Sequence, residues 1–299
     1  MYSSDKLKTG ESELQRGREN LHGKVILLTG ASSGIGKATA IRLSEMGASL
    51  VIVCRNENRG KEALEEITGS SGNDSVELIT GNLELQQEVR KVADEFLSAH
   101  SRLDVLINNA GTNVPKYEET RDGVEKTMAV NYFAPFLLTN LLLEVMEKSA
   151  PSRIVNVSSV GHFGANLDLE NLARDKRYGQ FGLNAYRRSK LALTLFTYEL
   201  SRRLNGKSVT ANCLHPGTIR TNIWSHAGAA TPLALLGSLF MKGADEGAKT
   251  SVYLASSPEV AKVTGKYFVD MKPRASSRES YDELAARKLW DMSAELTHL

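Results

Sequence analysis

Short runs of consecutive apolar residues alternate along the chain with longer segments in which apolar residues recur every three or four positions. The short runs predict strands buried on both faces of a sheet, and the longer segments predict amphipathic helices. The predicted strands are residues 25–29, 50–54, 76–80, 105–107, 154–158, 209–214 and 267–269. The predicted helices are residues 34–46, 59–67, 86–100, 122–148 and 185–204. A bend is expected at Pro135, since proline interrupts helical hydrogen bonding.

Regular alternation of strands and helices predicts the fold class. Parallel strands joined by crossover helices form an α/β structure, here a single Rossmann-type doubly wound parallel sheet of about seven strands with helices on both faces. No change of composition marks a second large domain. We therefore expect an N-terminal lead-in over residues 1–23, the Rossmann-fold domain over residues 24–275 and a helical tail over residues 276–299.

Composition narrows the class of protein. The 299 residues include 37 Lys and Arg and 35 Asp and Glu, and this near balance gives no reason to expect a nucleic-acid partner. Cys54 and Cys213 each lie in an apolar run, which favours buried thiols in a reducing compartment over a disulfide or a redox role. The histidines lack metal-ligand spacing and no CxxC motif occurs, so no metal site is expected.

The first 24 residues are polar and contain no apolar core of a secretory signal. No apolar run approaches the ~20 residues that a helix needs to span a bilayer. The sequence therefore predicts no membrane-spanning segment and a cytoplasmic location.

A glycine-rich turn joins the first predicted strand to the first helix. Glycines allow a tight bend and let backbone N–H groups approach a phosphate, and the helix N-terminus adds partial positive charge. A glycine cluster alone also fits an ordinary turn, but its position between strand and helix favours a dinucleotide site. The predicted contacts are Gly30, Ser32, Ser33, Gly34, Ile35 and Gly36.

The end of the second strand bears on the choice of dinucleotide. An acidic residue there favours NAD by binding the ribose 2′-hydroxyl, but this chain has Arg55 and Asn56 after Cys54. A guanidinium pairs well with a 2′-phosphate, so the sequence favours NADP (NADPH) as cofactor. The alternative is that Arg55 is only a solvated surface residue and Glu57 contributes to ribose binding.

Tyr186 and Lys190 are four residues apart in a predicted helix and therefore share one face. A nearby ammonium favours the phenolate and is expected to lower the pKa of Tyr186 from about 10. A Tyr–Lys pair on a helix usually consists of surface residues without a catalytic role. It indicates catalysis only when further site residues accompany it. Polar or glycine-containing segments follow the fourth, fifth and sixth strands, where open α/β sheets bind ligands. These segments begin with Asn108-Asn109-Ala110-Gly111, Ser158-Ser159 and Pro216-Gly217.

The motifs TGASSGIG, NNAG, VSS, YRRSK and HPGTIRT occur in this order over residues 23–270. In this respect the chain resembles a classical short-chain dehydrogenase/reductase. The resemblance implies that Tyr186 is the catalytic acid/base and that Ser159, rather than Ser158, hydrogen-bonds the substrate oxygen. It implies that Lys190 binds the nicotinamide ribose and that Asn131 holds a proton-relay water. The implied cofactor contacts further include Asn82, Asn109, Ala110, Gly111, Tyr186, Lys190, Pro216, Gly217, Ile219 and Thr221.

Simpler interpretations of these residues stay open. Asn131 can merely cap or bend its helix, and Ser158 and Ser159 can cap a turn. Asn82 departs from the aspartate that the family usually places against the adenine, although an amide can still hydrogen-bond there.

Longer segments, including VCRN, NYFAPFLLTNLLL and YRRSKLALTLFTYELSRRL, are similar to the retinol dehydrogenase-like branch of that family. The branch implies a lipophilic aldehyde, ketone or alcohol as substrate, and the family implies a homodimer or homotetramer. Residues 223–241 can form an apolar flap, an ordinary packing helix or a membrane-contacting face. Tyr132 replaces a histidine common in the branch and can reshape the pocket.

Two further expectations concern the tail and the competing functions. The helical C-terminal tail can join an interface or cover the pocket. The alternatives to an NADP(H)-dependent carbonyl–alcohol oxidoreductase are a catalytically silent NADP(H)-binding sensor and a steroid-type or light-linked reductase on the same scaffold.

Overall fold

A computed structural model describes residues 20–217 and 243–299. They form one eight-stranded sheet in the order β3-β2-β1-β4-β5-β6-β7-β8, in which only the β7–β8 pair is antiparallel. The strands are β1 Val25–Thr29, β2 Ser49–Cys54, β3 Val76–Thr80, β4 Val105–Asn108, β5 Ser152–Val157, β6 Val209–His215, β7 Tyr267–Val269 and β8 Lys272–Arg274. The predicted Rossmann-type α/β fold is confirmed.

Helices cover both faces of the sheet. They are α1 Gly34–Glu45, α2 Glu57–Ser71, α3 Gln86–Ala99, α4 Lys126–Lys148, α5 Leu183–Arg203, α6 Ala244–Ser256 and α7 Glu283–Leu296. Successive residues of a strand point to opposite faces, so Leu27 of β1 packs into one core and Ile26 and Leu28 pack into the other. The first core lies against α3, α4, α5 and α7, and the second lies against α1, α2 and α6. Both faces are therefore apolar, which explains the unbroken apolar runs.

The chain differs from the sequence prediction around α4. This helix begins at Lys126 rather than residue 122, because the buried carboxylate of Glu125 caps it by accepting hydrogen bonds from the backbone of Thr127 and Met128 at 2.6 and 2.9 Å. Residues Ala129–Phe133 form a π-helical turn, and the Ala134 N–H donates to the Ala129 carbonyl five residues back. Pro135 lies just after this wider turn and has no backbone N–H to donate to the helix. The irregularity of α4 therefore lies before Pro135 rather than at the predicted position.

In the described part of the chain, α4 is long and apolar enough to cross a bilayer by length and composition, which the sequence analysis overlooked. However, 78% of its apolar window is buried inside the protein, as is usual for a core helix.

The C-terminal helix α7 belongs to the first core, and no residue of it lines the large cavity described below. Leu289 is fully buried, and Trp290 packs against Phe136 of α4 and Phe196 of α5. The Tyr132 hydroxyl shares a hydrogen bond of 2.7 Å with Ser293, so Tyr132 faces α7 rather than the pocket. The expectation that Tyr132 reshapes the pocket is therefore wrong, and α7 does not cover it.

Candidate active site

A cavity of about 590 Å³ opens at the carboxyl ends of the strands. The chain runs outward in opposite directions from β1 and β4, which lie side by side in the sheet. Open α/β sheets bind ligands in the crevice at such a switch point, because the loops diverge there and leave space between them. The cavity wall contains most residues predicted from the sequence: Gly30, Ser32, Ser33, Gly34, Ile35, Gly36, Arg55, Asn82, Asn109, Ala110, Gly111, Ser159, Tyr186, Lys190, Pro216 and Gly217.

The glycine-rich turn needs its glycines for two different reasons. Gly30 has a positive φ of +74°, and a Cβ there would lie 2.7 Å from the Cα of Ala110. A Cβ at Gly36 would collide with the carbonyl oxygen of Gly30. Gly34 has a φ of +58° and would place a Cβ in open space, at the start of α1. The first two glycines therefore allow close backbone packing, and the third keeps the approach to the helix N-terminus open.

The segment after β4 is fastened to the glycine-rich turn. The Asn109 amide donates to the carbonyl oxygens of Thr29 and Gly30 at 2.9 and 3.1 Å. The backbone N–H groups of Asn109 and Ala110 donate to the Thr29 hydroxyl at 3.1 and 3.0 Å. Asn109 thus fixes the shape of the cavity wall by holding the glycine-rich turn and the loop after β4 together.

Arg55 lies where the sequence analysis places it, but it already has a partner. Its side chain is 69% exposed and donates to the Glu84 carboxylate at 2.8 Å. Glu84, only 15% exposed, also lies 3.5 Å from the Lys126 ammonium. Asn56 does not line the cavity; its side chain accepts from the Arg59 N–H at 3.0 Å and caps α2. A phosphate at Arg55 would therefore compete with Glu84.

Ser159 and Tyr186 meet at the wall of the cavity. The Ser159 hydroxyl oxygen accepts from the Gly161 N–H at 3.0 Å, so its own hydrogen remains available for donation. Burial raises the pKa of Tyr186, and a hydrogen bond with Ser159 acts in the opposite direction. Ser158 also borders the cavity, but its hydroxyl is bonded to Thr194 at 2.9 Å and to the Lys190 carbonyl at 3.2 Å. The preference for Ser159 over Ser158 thus agrees with the geometry.

Lys190 lies one helical turn from Tyr186, with its ammonium 5.7 Å from the centroid of the tyrosine ring. The ammonium donates to the Val157 carbonyl at 2.8 Å. Burial lowers the pKa of Lys190 to about 8. The expected lowering of the Tyr186 pKa is wrong for this structure, because desolvation of the phenolate outweighs the groups that favour it.

Asn131 is fully buried behind the cavity wall, in the π-helical turn of α4. Its amide nitrogen donates to the Thr112 carbonyl and to the Ser189 hydroxyl, both at 2.9 Å. Its oxygen accepts from the Thr112 N–H at 2.8 Å. Asn131 therefore links α4, α5 and the loop after β4, and it does not itself line the cavity.

The long segment between Ser159 and Tyr186 is anchored by buried polar groups. The Arg188 guanidinium, nearly fully buried, lies 3.3 Å from the Asp175 carboxylate and donates to the Asp175 carbonyl at 3.0 Å. The Tyr178 hydroxyl donates to Glu125 at 2.6 Å. The two ends of this segment nevertheless expose large apolar side chains. We call these the apolar rim: Val160, Phe163, Phe181 and Leu183.

Several cavity residues were missed from the sequence, and two predicted ones lie outside the described residues. Ile219 and Thr221 fall there, as does the predicted flap at residues 223–241. Val53 and Cys54 of VCRN, Val157 of VSS and His215 of HPGTIRT adjoin predicted contacts, and the other missed residues become neighbours only through the fold. The missed residues are Val53, Cys54, Arg59, Gly81, Leu83, Glu84, Thr112, Val130, Val157, Val160 and His215.

Known proteins are similar to this chain over most of its length. A family model described as short chain dehydrogenase matches residues 24–170. Retinol dehydrogenase 14 of Mus musculus is 45% identical over an alignment of 287 residues that covers 91% of this chain and 85% of that protein. Retinol dehydrogenase 13 of Homo sapiens is 39% identical over an alignment of 289 residues that covers 94% of this chain and 87% of that protein.

Solved structures point the same way. The crystal structure of an uncharacterized protein from Mycobacterium paratuberculosis has a TM-score of 0.76 and 32% identity, covering 94% of this chain and 95% of that one. The RhlG/NADP active-site complex from Pseudomonas aeruginosa has a TM-score of 0.68 and 26% identity, covering 88% of this chain and 98% of that one.

Proposed function

The chain belongs to the short-chain dehydrogenase/reductase family, in its retinol dehydrogenase-like branch, and from this premise we propose that it interconverts a lipophilic carbonyl compound and its alcohol with NADP(H). Family membership makes it an oxidoreductase; the cofactor, the catalytic residues and the substrate class are the proposal. One observation carries it: Ser159 and Tyr186 are hydrogen-bonded at the cavity wall, with Lys190 one helical turn away.

The residues present fit a dinucleotide. The Ser33 side chain makes no capping hydrogen bond to α1 within the described part of the chain, so the first N–H groups of this helix are left for an anion. Gly34 leaves the approach to them open. The glycine-rich turn would hold the pyrophosphate, Arg55 the 2′-phosphate, Asn82 the adenine side and Lys190 the nicotinamide ribose. When bound, the nicotinamide supplies the hydride in reduction and accepts it in oxidation.

The side chains of the protein then have the following roles. Tyr186 donates its phenolic proton to the substrate oxygen in reduction and takes it back in oxidation. Ser159 donates a hydrogen bond to the same oxygen and stabilises the negative charge that develops there. Because burial raises the pKa of Tyr186, the phenol is protonated at neutral pH, which suits reduction. Asn131 holds the backbone of Thr112, and through it the loop after β4, and the proposed relay water would lie beside it.

The intact set of Ser159, Tyr186 and Lys190 favours an enzyme over a silent NADP(H) sensor.

A cytoplasmic location is proposed because both cysteines, Cys54 and Cys213, are buried free thiols. A homodimer or homotetramer is proposed from the family resemblance, and sedimentation analysis measures it.

The apolar rim supports a lipophilic substrate, because Val160 is 48% exposed and also lines the cavity. The relatives are named retinol dehydrogenases, and retinol is a lipophilic alcohol. With NADPH and straight-chain aldehydes, we expect kcat/KM to rise with chain length, by up to about fourfold per buried methylene. NADPH absorbance measures the rate, and aldehydes of equal length with a terminal carboxylate are the control. No NADPH oxidation with any aldehyde would contradict the proposed function.

Replacing Arg55 with alanine tests the cofactor assignment. We expect the Kd for NADPH to rise by about 10- to 100-fold, the range of a lost charge-assisted hydrogen bond, while the Kd for NADH stays nearly unchanged. Fluorescence titration of both nucleotides measures this. Arg42→Ala is the matched control, because Arg42 is a half-exposed residue paired with Glu45 at 3.1 Å and lies outside the cavity. An equal loss for both nucleotides would assign Arg55 to some role other than 2′-phosphate binding.

A further inference from the structure

His162 is a fully buried histidine directly behind the candidate catalytic serine. It ends a short 3₁₀ turn, Val160–His162, for which Ser159 is the N-terminal cap. Its ring packs edge-on against the Tyr267 ring of β7, with centroids 4.9 Å apart, and against the Phe163 ring, with centroids 4.4 Å apart. These contacts hold the imidazole in one orientation, so its two nitrogens have defined partners.

The hydrogen bonds of the ring determine its tautomer. The Ser277 backbone N–H lies 3.0 Å from Nε2, and an N–H group can only donate, so Nε2 must accept. The other nitrogen, Nδ1, lies 2.5 Å from the Ser159 carbonyl oxygen, which can only accept. The ring therefore carries its single proton on Nδ1 and is neutral.

Ser159 is thus held at two points. Its hydroxyl oxygen accepts from the Gly161 N–H at 3.0 Å, and its carbonyl oxygen accepts from His162. The extended backbone of Ser159, with φ of −164° and ψ of 156°, leads from β5 into the 3₁₀ turn. A rotation of the peptide group that follows Ser159 would move Gly161. It would therefore change the hydrogen bond from the Gly161 N–H that orients the Ser159 hydroxyl.

The far end of this arrangement lies in the connection between the sheet and the C-terminal helix. Ser277 follows β8, and the neighbouring Ser276 hydroxyl is bonded to the Tyr198 hydroxyl of α5 at 2.7 Å. The Ser276 backbone N–H donates to the Tyr281 hydroxyl at 3.1 Å. The segment that carries the Ser277 N–H is therefore held by hydrogen bonds of the neighbouring Ser276 to residues that do not line the cavity.

We propose that His162, as a neutral Nδ1–H imidazole between the Ser277 N–H and the Ser159 carbonyl, is a positioning residue that orients the Ser159 hydroxyl toward the substrate oxygen. We call these three groups the His162 clamp. The inference rests on the proposed function, since it concerns the same site. His162 does not line the cavity, and it acts only through Ser159.

The surroundings of the ring agree with a neutral imidazole. Burial lowers the pKa of His162, and the nearby Glu279 carboxylate opposes this only in part. Among the described residues, Tyr267 also faces the ring, and burial raises the pKa of Tyr267, so its hydroxyl is uncharged at neutral pH.

Three substitutions separate positioning from mere packing. In His162→Asn the amide reaches the place of Nδ1 and can still donate to the Ser159 carbonyl. In His162→Gln the amide oxygen reaches the place of Nε2, so it accepts the hydrogen bond from Ser277 but the bond to the Ser159 carbonyl is lost. His162→Phe keeps an aromatic ring and loses both hydrogen bonds. We expect kcat to fall about 10- to 100-fold in the Gln and Phe variants and by less than about threefold in the Asn variant. KM for NADPH should stay within about twofold in all three.

Thermal unfolding of the same variants gives the contrast. If the Asn and Gln variants lose kcat equally, in proportion to their loss of Tm, His162 is only a packing residue and the inference is overturned.

An independent measurement needs no substrate and no variant. In protein labelled with ¹⁵N-histidine, the spectrum at neutral pH should show His162 protonated on Nδ1 and unprotonated on Nε2. An Nε2–H tautomer or an imidazolium overturns the inference. Wild-type protein without any NADPH-linked turnover instead contradicts the proposed function, and the imidazole spectrum then still decides whether the clamp exists.

Discussion

Tyr186→Phe is expected to lower kcat for aldehyde reduction by about 10³-fold, within the range of lost general acid catalysis, while NADPH still binds. The substitution removes only the hydroxyl that meets Ser159 at the cavity wall and leaves the buried ring in place. Single-turnover rates at saturating aldehyde measure the loss, and quenching of protein fluorescence by NADPH measures binding. A change in kcat without a change in Kd is the signature of an acid rather than of a binding residue.

Tyr132→Phe is the matched control for this result. Tyr132 is also buried and also hydrogen-bonded, but its hydroxyl faces Ser293 of α7, away from the cavity. It should lose about 1 kcal/mol of unfolding free energy and keep kcat. Normal turnover in Tyr186→Phe would remove Tyr186 from the mechanism.

Gly30→Ala is expected to raise the Kd for NADPH by about 100-fold. A Cβ at residue 30 would lie 2.7 Å from the Cα and 3.0 Å from the N of Ala110, and backbone atoms cannot rotate away as a side chain can. The loop after β4 must therefore move, at a cost of about 1–3 kcal/mol, and the bonds from Asn109 to the glycine-rich turn must change with it. Fluorescence titration measures the Kd, and circular dichroism shows that the variant is folded.

Part of the effect of Gly30→Ala comes from the strain of placing alanine in a left-handed backbone conformation. Gly72→Ala is the control that shows this strain alone. Gly72 has a φ of +66° at the end of α2, close to the +74° of Gly30, but nothing lies within 4 Å of its virtual Cβ. Gly72→Ala should cost about 1 kcal/mol of unfolding free energy and leave NADPH binding unchanged. Equal affinities of the two variants for NADPH would show that the contact with Ala110 does not matter.

The fold was predictable where apolar residues come in unbroken runs. The predicted bounds of β1 and β7 agree with the structure, and so do those of β3, although the exposed Glu77 interrupts its apolar run. Strand β8 was missed because its three residues are all exposed and pair only at the sheet edge. Helix α6 was missed because its buried face consists mostly of small residues, Gly247, Ala248, Ser251 and Ala255, rather than of large apolar ones.

The site was predictable where a motif follows a strand, as for Gly30 and Ser159, and where helical spacing pairs two residues, as for Tyr186 and Lys190. The prediction failed where partners come from distant parts of the chain. Neither the pairing of Arg55 with Glu84 nor that of His162 with Ser277 has a local signal, because each pair is joined only by the sheet and its crossovers. The raised pKa of Tyr186 depends on burial, and burial is a property of the whole fold.

The aromatic cluster of Phe136, Phe196 and Trp290 has a consequence for synthesis on the ribosome. Two of its members are made long before the third, and Trp290 and Leu289 complete the core that they begin. Until α7 has been synthesised, the nascent chain exposes a hydrophobic surface on α4 and α5. Chaperones bind surfaces of this kind. A premature stop before Leu289 should therefore yield a chain that is degraded or aggregated rather than a weakened enzyme.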